Sequence, residues 1–328
     1  MNLITKVDIP KYSFNIELSD RLMFIGSCFT ENIGKKFENH FFNILINPFG
    51  VTYNPISIAE ILHIIIDLKK FDENDIFFNN NLYHSFLHHS SFSGSNINDV
   101  LEKINSNIKN SHNFLKSADY VFVTFGTSIV YTKEDKIVNN CHKLPSNVFL
   151  QKKVTIDDIF DKYENLINIL KKFNSKIKII LTVSPVRHLK NGAIENLVSK
   201  SILLLASYKL CENFEDVFYF PSYEIVMDEL RDYRFYAADM VHTNEIAVDY
   251  IWEKICENLI SKSANNELPR LKKTKDAIEH RLFNNNSSEI MNLITFLEKN
   301  LAYFEKKYPQ LNYNSVRLKI NELKLFVK

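Results

Sequence analysis

The sequence predicts an α/β fold, a parallel sheet covered by helices on both faces. Three observations carry this. Short β-rich apolar runs alternate with longer stretches of helical spacing. Several runs stop at glycine or proline, as at Gly26, Gly126 and Ser184-Pro185. Polar motifs follow these stops, at the carboxyl ends of the predicted strands, where ligands bind in open α/β sheets.

Residues 22–25 form the first predicted strand, closed by Gly26. Residues 30–42 read as the next helix through Ile33, Phe37 and Phe41. Residues 43–46 are the second strand, broken by Asn47-Pro48-Phe49-Gly50. Residues 58–68 are helical, with Ser57 as the expected cap. Residues 71–96, rich in Asn, Ser and His, read as an insertion, and residues 98–115 as a helix. Residues 120–125 are the clearest buried strand, stopped by Gly126, and 133–145 read as a hairpin and loop. Residues 155–173 are a helix capped by Thr155, with Asp157 and Asp158 complementing its dipole. Residues 177–183 are a strand, 193–210 a helix, 217–220 the last parallel strand and 245–260 the final core helix.

After Lys262 the character changes. Residues 263–266 and Leu268-Pro269 read as a linker, and 289–304 have helical spacing rich in charge. The expected organisation is one domain over 1–266 with the insertion at about 71–96, then a helical C-terminal extension over 267–328. The extension is expected to pack on the core or to join copies in a homo-oligomer. Asparagine clusters at Asn79-Asn80-Asn81 and Asn284-Asn285-Asn286 read as loop tips.

Composition narrows the function classes. The chain has 328 residues, 45% hydrophobic and 24% charged, enough for a sizeable core. Lys plus Arg number 40 and Asp plus Glu 39, a balance that argues against nucleic acid or an anionic membrane as partner. No apolar run approaches the roughly 18–20 residues of a membrane span. Residues 1–10 lack the basic start and apolar core of a signal peptide. Four cysteines stand at 28, 141, 211 and 256 without a CxxC, which is not a disulfide framework or a zinc ribbon. The expectation is a cytoplasmic protein with reduced thiols and no metal or other cofactor.

Two pieces carry chemistry. Ser27 follows Gly26 at a strand-to-helix turn, where free N–H groups and the helix dipole stabilise developing negative charge. Asp239 and His242 stand three apart, so the carboxylate can hold one ring nitrogen and leave the other as a base. Ser27 as nucleophile, His242 as base and Asp239 as orienter make an acyl-transfer centre. Capping serves as the plainer role for both Ser27 and Asp239. Cys28 competes with Ser27, since a thiol beside a helix N-terminus is also a nucleophile and adjacent residues in a turn point in different directions. Arg187 and His188, following a strand, are expected to bind substrate, as are His84 and His142. Clustered histidines also ligate Zn²⁺, but no HExxH or comparable spacing supports a metal here. Phe29, Phe49, Tyr53 and Tyr131 lie near the rim, to line a pocket or fill the core.

The chain resembles the GSCFA-domain family over roughly residues 20–255. The resemblance rests on Ile25-Gly26-Ser27-Cys28-Phe29-Thr30 and on Asn47-Pro48-Phe49-Gly50-Val51-Thr52-Tyr53-Asn54-Pro55. It continues through Asn140-Cys141-His142-Lys143, Ser184-Pro185-Val186-Arg187-His188 and Phe220-Pro221-Ser222-Tyr223-Glu224, and ends at Tyr236-Ala237-Ala238-Asp239-Met240-Val241-His242. That family is related to the SGNH, or GDSL-like, hydrolases. The resemblance implies a flavodoxin-like three-layer α/β/α domain with a Ser27/His242/Asp239 site and no cofactor. The match departs from the SGNH pattern in two places. The first block usually reads Gly-Asp-Ser, whereas Ser27 directly follows Gly26. The third block usually supplies an oxyanion asparagine, whereas Gly126-Thr127-Ser128 carries serine there. The expected oxyanion donors are therefore the N–H groups of Ser27 and Gly50, with Ser128 or Asn47.

These readings point to a serine esterase acting on small O-acyl esters, acylated carbohydrates among them. An O-acyltransferase built on the same triad and a non-catalytic binding module on the same fold are the alternatives.

Overall fold

The computed structural model describes residues 4–280 and 287–326, and Asn284-Asn285-Asn286 lie outside them. Five strands form the central sheet: β1 (Arg21–Gly26), β2 (Asn43–Ile46), β5 (Tyr120–Phe125), β9 (Lys178–Val183) and β10 (Val217–Tyr219). Their order is β10-β9-β5-β1-β2. The pairings β1–β5, β5–β9 and β9–β10 are all parallel. Counting only these strands, the order is 2-1-3-4-5, the flavodoxin-like doubly wound arrangement. Its switch point lies between β1 and β5, where successive connections leave to opposite sides.

Hydrophobic pattern explains the layering. β5 is buried along its whole length, as a strand covered on both faces must be. Helices α2 (Pro55–Ile66), α3 (Ile97–Ser117), α4 (Ile156–Phe173) and α5 (Ala193–Asn213) follow the strands and pack side by side in the order α3-α2-α4-α5. Their apolar faces share one core with the strands, including Ile61, Ile104, Leu166, Leu203, Val121 and Leu181. Helix α1 (Cys28–Glu38) follows β1, and α6 (Ser222–Glu224) follows β10, running on into a π turn over Ile225–Glu229.

Local chemistry sets the boundaries. Thr155 caps α4, with Asp158 completing a reciprocal capping box, as expected. Helix α2 begins earlier than the spacing suggests. Asn54, not Ser57, is its cap, accepting the Ser57 N–H, and Pro55 takes the first position. The insertion contains a short hairpin, β3 (Phe77–Asn79) and β4 (Leu82–His84), turned by Asn80 and Asn81 at φ 49° and 62°. Both central residues at positive φ are what a tight hairpin turn needs. The expected hairpin at 133–145 is instead part of a three-stranded antiparallel sheet, β7-β6-β8. Its strands are β6 (Ile129–Lys133), β7 (Lys136–Val138) and β8 (Leu150–Lys153).

The chain divides into two compact units. The first holds the stretches up to Pro10, Leu22–Ile33 and Leu45–Ile251, and so contains β5, β9 and β10 whole and most of β1. The second gathers Lys11–Arg21, Gly34–Ile44 and Trp252–Lys328. It includes α8 (Lys262–Asn265), α9 (Leu268–Glu279), α10 (Ser287–Lys307) and α11 (Asn314–Leu325). The stretch expected as a linker is therefore helical, because Pro269 falls in the first turn of α9, where its missing N–H costs nothing. Within this unit Ile16 and Ser261 are tied by backbone bonds, and the Arg270 guanidinium lies over the Tyr303 ring at 3.7 Å. Helix α7 (Glu245–Asn258) runs across the sequence boundary of the two units. Among the described residues no helix is long and apolar enough to cross a membrane.

Candidate active site

The carboxyl ends of β1, β5 and β9 converge on a cleft of about 440 Å³. Its wall includes Cys28, Tyr53, Thr127, Arg187, His188 and His242. The segment after β2 closes the switch point: the Tyr53 carbonyl accepts the N–H groups of Gly126 and Thr127 at 2.7 and 3.0 Å. Tyr131 and Gln151 of the antiparallel sheet, with Asn139 and Cys141 beside it, form the outer wall.

The turn after β1 is built around Gly26. Its φ of +147° lies where side chains are strained, and a Cβ there would run into the Thr124 carbonyl oxygen. The Gly26 N–H donates to Asn47 Oδ1 at 2.8 Å, and its carbonyl accepts the Thr52 N–H at 2.9 Å. The chain is thus fixed on both sides as it enters α1. Within that turn Ser27 is fully buried, its Oγ has no hydrogen-bond partner, and it does not line the cleft. Cys28, the first residue of α1, lines the cleft instead. Ser27, expected to present its hydroxyl, is thus buried in the turn, and the neighbouring residue is the one in the cleft wall. Helix geometry starts at residue 28, so residues 27 and 28 face different ways.

His242 faces the same cleft. Its Nδ1 lies 2.7 Å from Asp239 Oδ2, while Asp239 Oδ1 accepts the N–H groups of Val241 and His242 at 2.9 and 3.0 Å. Those backbone and side-chain bonds hold the Asp239 carboxyl down at about 2, so it is ionised at neutral pH. A carboxylate on Nδ1 fixes the neutral tautomer with Nε2 as the acceptor, the form a general base needs. The turn is anchored to the sheet rim by the Arg187 N–H, which donates to the Val241 carbonyl at 3.2 Å.

Burial raises the Cys28 thiol above its ordinary value. The N–H groups of Phe29 and Cys28 and the Lys200 charge pull it back, and Glu31 opposes them. At neutral pH Cys28 is a thiol that needs a base. His188 is also in the cleft wall, half-buried, with Nε2 unpartnered. Burial, then Lys200 and His242, push it down to about 4, so it is neutral.

Sequence reasoning found α5 as a helix but missed its polar face. Its residues Asn196, Ser199 and Lys200 are buried and lie on one face, at i, i+3 and i+4. Lys200 Nζ donates to the carbonyls of Gly126 at 2.7 Å and Ser184 at 2.6 Å, bolting together the ends of β5 and β9. Burial, offset by Cys28 and reinforced by Arg187, lowers it to about 7. Ser199 Oγ accepts the Ser128 N–H at 2.7 Å. Asn196 Oδ1 accepts the His188 N–H at 2.8 Å, which leaves its Nδ2 buried and unpartnered in the cleft wall.

Three expected oxyanion donors do not line the cleft. The Gly50 N–H closes a turn onto the Asn47 carbonyl at 2.7 Å, and Gly50 packs on His89 away from the cleft. Asn47 spends its amide on Gly26 and Glu31. Ser128 is buried beneath Ser199, and the cleft wall passes from Thr127 to Ile129 without it. The Ser27 N–H, just ahead of α1, is what remains of that set. His84 and His142 do not line the cleft either. They are buried with ring centroids 4.5 Å apart, and bond Ser93 Oγ, the Asn79 carbonyl and the Ser85 carbonyl. Nearby, the Phe86 carbonyl accepts the N–H groups of Asn139 and Asn140, supporting the loop that carries Cys141. Of the rim aromatics, Tyr53 and Tyr131 line the cleft, whereas Phe29 and Phe49 are core. Among the described residues no group of three or more His, Cys, Asp or Glu side chains is gathered to hold a metal ion.

A family model described as the GSCFA family matches residues 21–255. No curated protein matches the sequence. Among solved structures, a carbohydrate esterase family 3 protein from Talaromyces cellulolyticus is similar at 10% identity and a TM-score of 0.35, covering 77% of this chain and 98% of that one. That likeness is too distant to bear on chemistry.

Proposed function

The chain belongs to the GSCFA family, and from that premise we propose that it is an acyl hydrolase of SGNH type acting on small esters. The nucleophile in this reading is Cys28, with His242 as base and Asp239 as the carboxylate that orients it. One observation carries it: Cys28 and the Asp239-held imidazole of His242 line the same cleft, while the Ser27 hydroxyl is buried away from it. On this reading Gly26-Ser27-Cys28 stands where the SGNH hydrolases have Gly-Asp-Ser, with Ser27 in the aspartate's place and Cys28 in the serine's.

Cys28 Sγ attacks the ester carbonyl as His242 Nε2 takes the thiol proton. The C–S bond forms and the carbonyl π pair moves to oxygen, facing the N–H groups at the start of α1. Collapse breaks the C–O bond, and His242 returns the proton to the departing alcohol. Water, deprotonated by the same imidazole, then cleaves the thioester and releases the acid. An acceptor hydroxyl in place of that water, on a sugar for example, makes the same centre an O-acyltransferase.

Hydrolysis of p-nitrophenyl acetate by the wild type, Cys28→Ala, Ser27→Ala and His242→Ala tests the reading. Loss of turnover in the Cys28 and His242 variants, with Ser27→Ala retaining it, is the expected result. Full activity in Cys28→Ala would sink it, and loss in Ser27→Ala from a folded protein would return the role to the serine.

A further inference from the structure

We propose that the cleft is built to hold an anion, and that the ester it cleaves carries a free carboxylate bound at Arg187. This rests on the reading of the cleft as the acyl-transfer site.

Charge in the cleft does not balance. Arg187 lines it, and among the described residues its guanidinium has no acidic partner; its Nε is buried and unbonded. Lys200 lies close enough to Arg187 for the two charges to repel, and the hydrogen bonds its ammonium makes go to two carbonyl oxygens. Lys190 adds a third cation at the wall, bonded to the Tyr131 hydroxyl at 3.2 Å. Of the nearby carboxylates, Glu195 is matched to Lys153 at 2.6 Å and Asp239 to His242, while Glu31, close enough to act on Cys28, accepts from the Asn47 amide. A guanidinium held in partly desolvated surroundings without a counter-charge is costly, so Arg187 calls for an anion from outside.

The donors also specify its shape. The Asn196 amide is oriented by the His188 N–H on its Oδ1, so Nδ2 is a fixed, unsatisfied donor. A flat guanidinium edge with one amide N–H suits the two oxygens of a carboxylate. A phosphate dianion would call for further donors, and neutral His188 adds no charge to meet it. A neutral polyol would leave the guanidinium uncompensated.

Titration calorimetry with succinate, inorganic phosphate and glucose on the resting protein tests this, together with hydrolysis of mono-p-nitrophenyl succinate beside p-nitrophenyl acetate. Succinate should bind the wild type, and Arg187→Met should weaken it about tenfold or more, the worth of a charge-assisted contact. Preference for the charged over the neutral ester should fall by a similar factor. In the wild type alone, succinate should slow alkylation of Cys28 by iodoacetamide and glucose should not, which keeps the test available if the variant does not fold. Succinate affinity unchanged in a folded Arg187→Met protein, phosphate binding more tightly than succinate, or no protection of Cys28 overturns the proposal. Cys28→Ala separates the two readings: if it still cleaves the acetate ester, the nucleophile assignment fails while succinate binding is untouched.

Discussion

At the scale of single residues, one backbone rotation decides the chemistry. Gly26 alone can hold φ +147° against the Thr124 carbonyl, so Gly26→Ala should destabilise the fold by about 2–4 kcal/mol through strain and overlap. Chemical denaturation would measure this, and an unchanged midpoint would mean that the turn relaxes freely. In the proposed centre Asp239 acts through His242. In Asp239→Asn the amide can offer its NH₂ to Nδ1 and favour the wrong tautomer, so kcat should fall about 10²-fold or more with KM little changed. Equal loss in kcat and gain in KM would assign Asp239 to binding instead. The Asp239–His242 pair was legible because both partners are near in sequence and three residues is one turn of chain. Which of Ser27 and Cys28 faces the base was not. That depends on where the first helical dihedral falls, and a shift of one residue exchanges the two side chains.

At the scale of elements, strong signals stayed local. The strand at 120–125 and the Thr155 cap follow from apolar runs and short-range hydrogen bonding. Helix α5 was recognised as a helix but its orientation was hidden. Ile194, Leu197, Val198 and Leu205 are exposed, while Asn196, Ser199 and Lys200 are buried, the reverse of the usual pattern. The carbonyls at the ends of β5 and β9 make the burial of Lys200 favourable, and the His188 and Ser128 N–H groups do so for Asn196 and Ser199. The insertion reads the same way. His88 is stacked on Phe49 at 4.2 Å with Nε2 unpartnered, so it supports the site from beneath and does not touch the cleft. Burial, helped by His142, pushes His88 down to about 3 from 6.5. The unfolded chain takes up the proton first. The stability His88 contributes is therefore full above about pH 6.5 and is lost as the pH falls toward 3. Urea midpoints across that window should drop, and His88→Phe should reduce the drop by on the order of 1–3 kcal/mol. An identical acid profile in the variant would place the sensitivity elsewhere.

At the scale of the whole molecule, the strand order concentrates the chemistry. A 2-1-3-4-5 sheet opens its crevice where β1 and β5 part, and Cys28, Tyr53 and Thr127 follow β1, β2 and β5 onto that rim. The same topology sorts the four thiols. Burial raises all of them, Cys211 and Cys256 to about 12, so thiolate fraction favours none strongly at neutral pH. Access and a nearby base then decide reactivity. Cys28 and Cys141 line the cleft, whereas Cys211 and Cys256 do not. Iodoacetamide near neutral pH should therefore modify Cys28 and Cys141 well before the other two, as read by peptide mass spectrometry. Cys28 shares its cleft with an imidazole held by Asp239, so His242→Ala should slow its alkylation several-fold. Cys141 owes its reactivity to exposure alone and should keep its rate. If both thiols slow together, His242 shapes the cleft instead of serving as base. If Cys28 reacts no faster than Cys211, the cleft is closed to small electrophiles and the thiol cannot be the group that meets substrate.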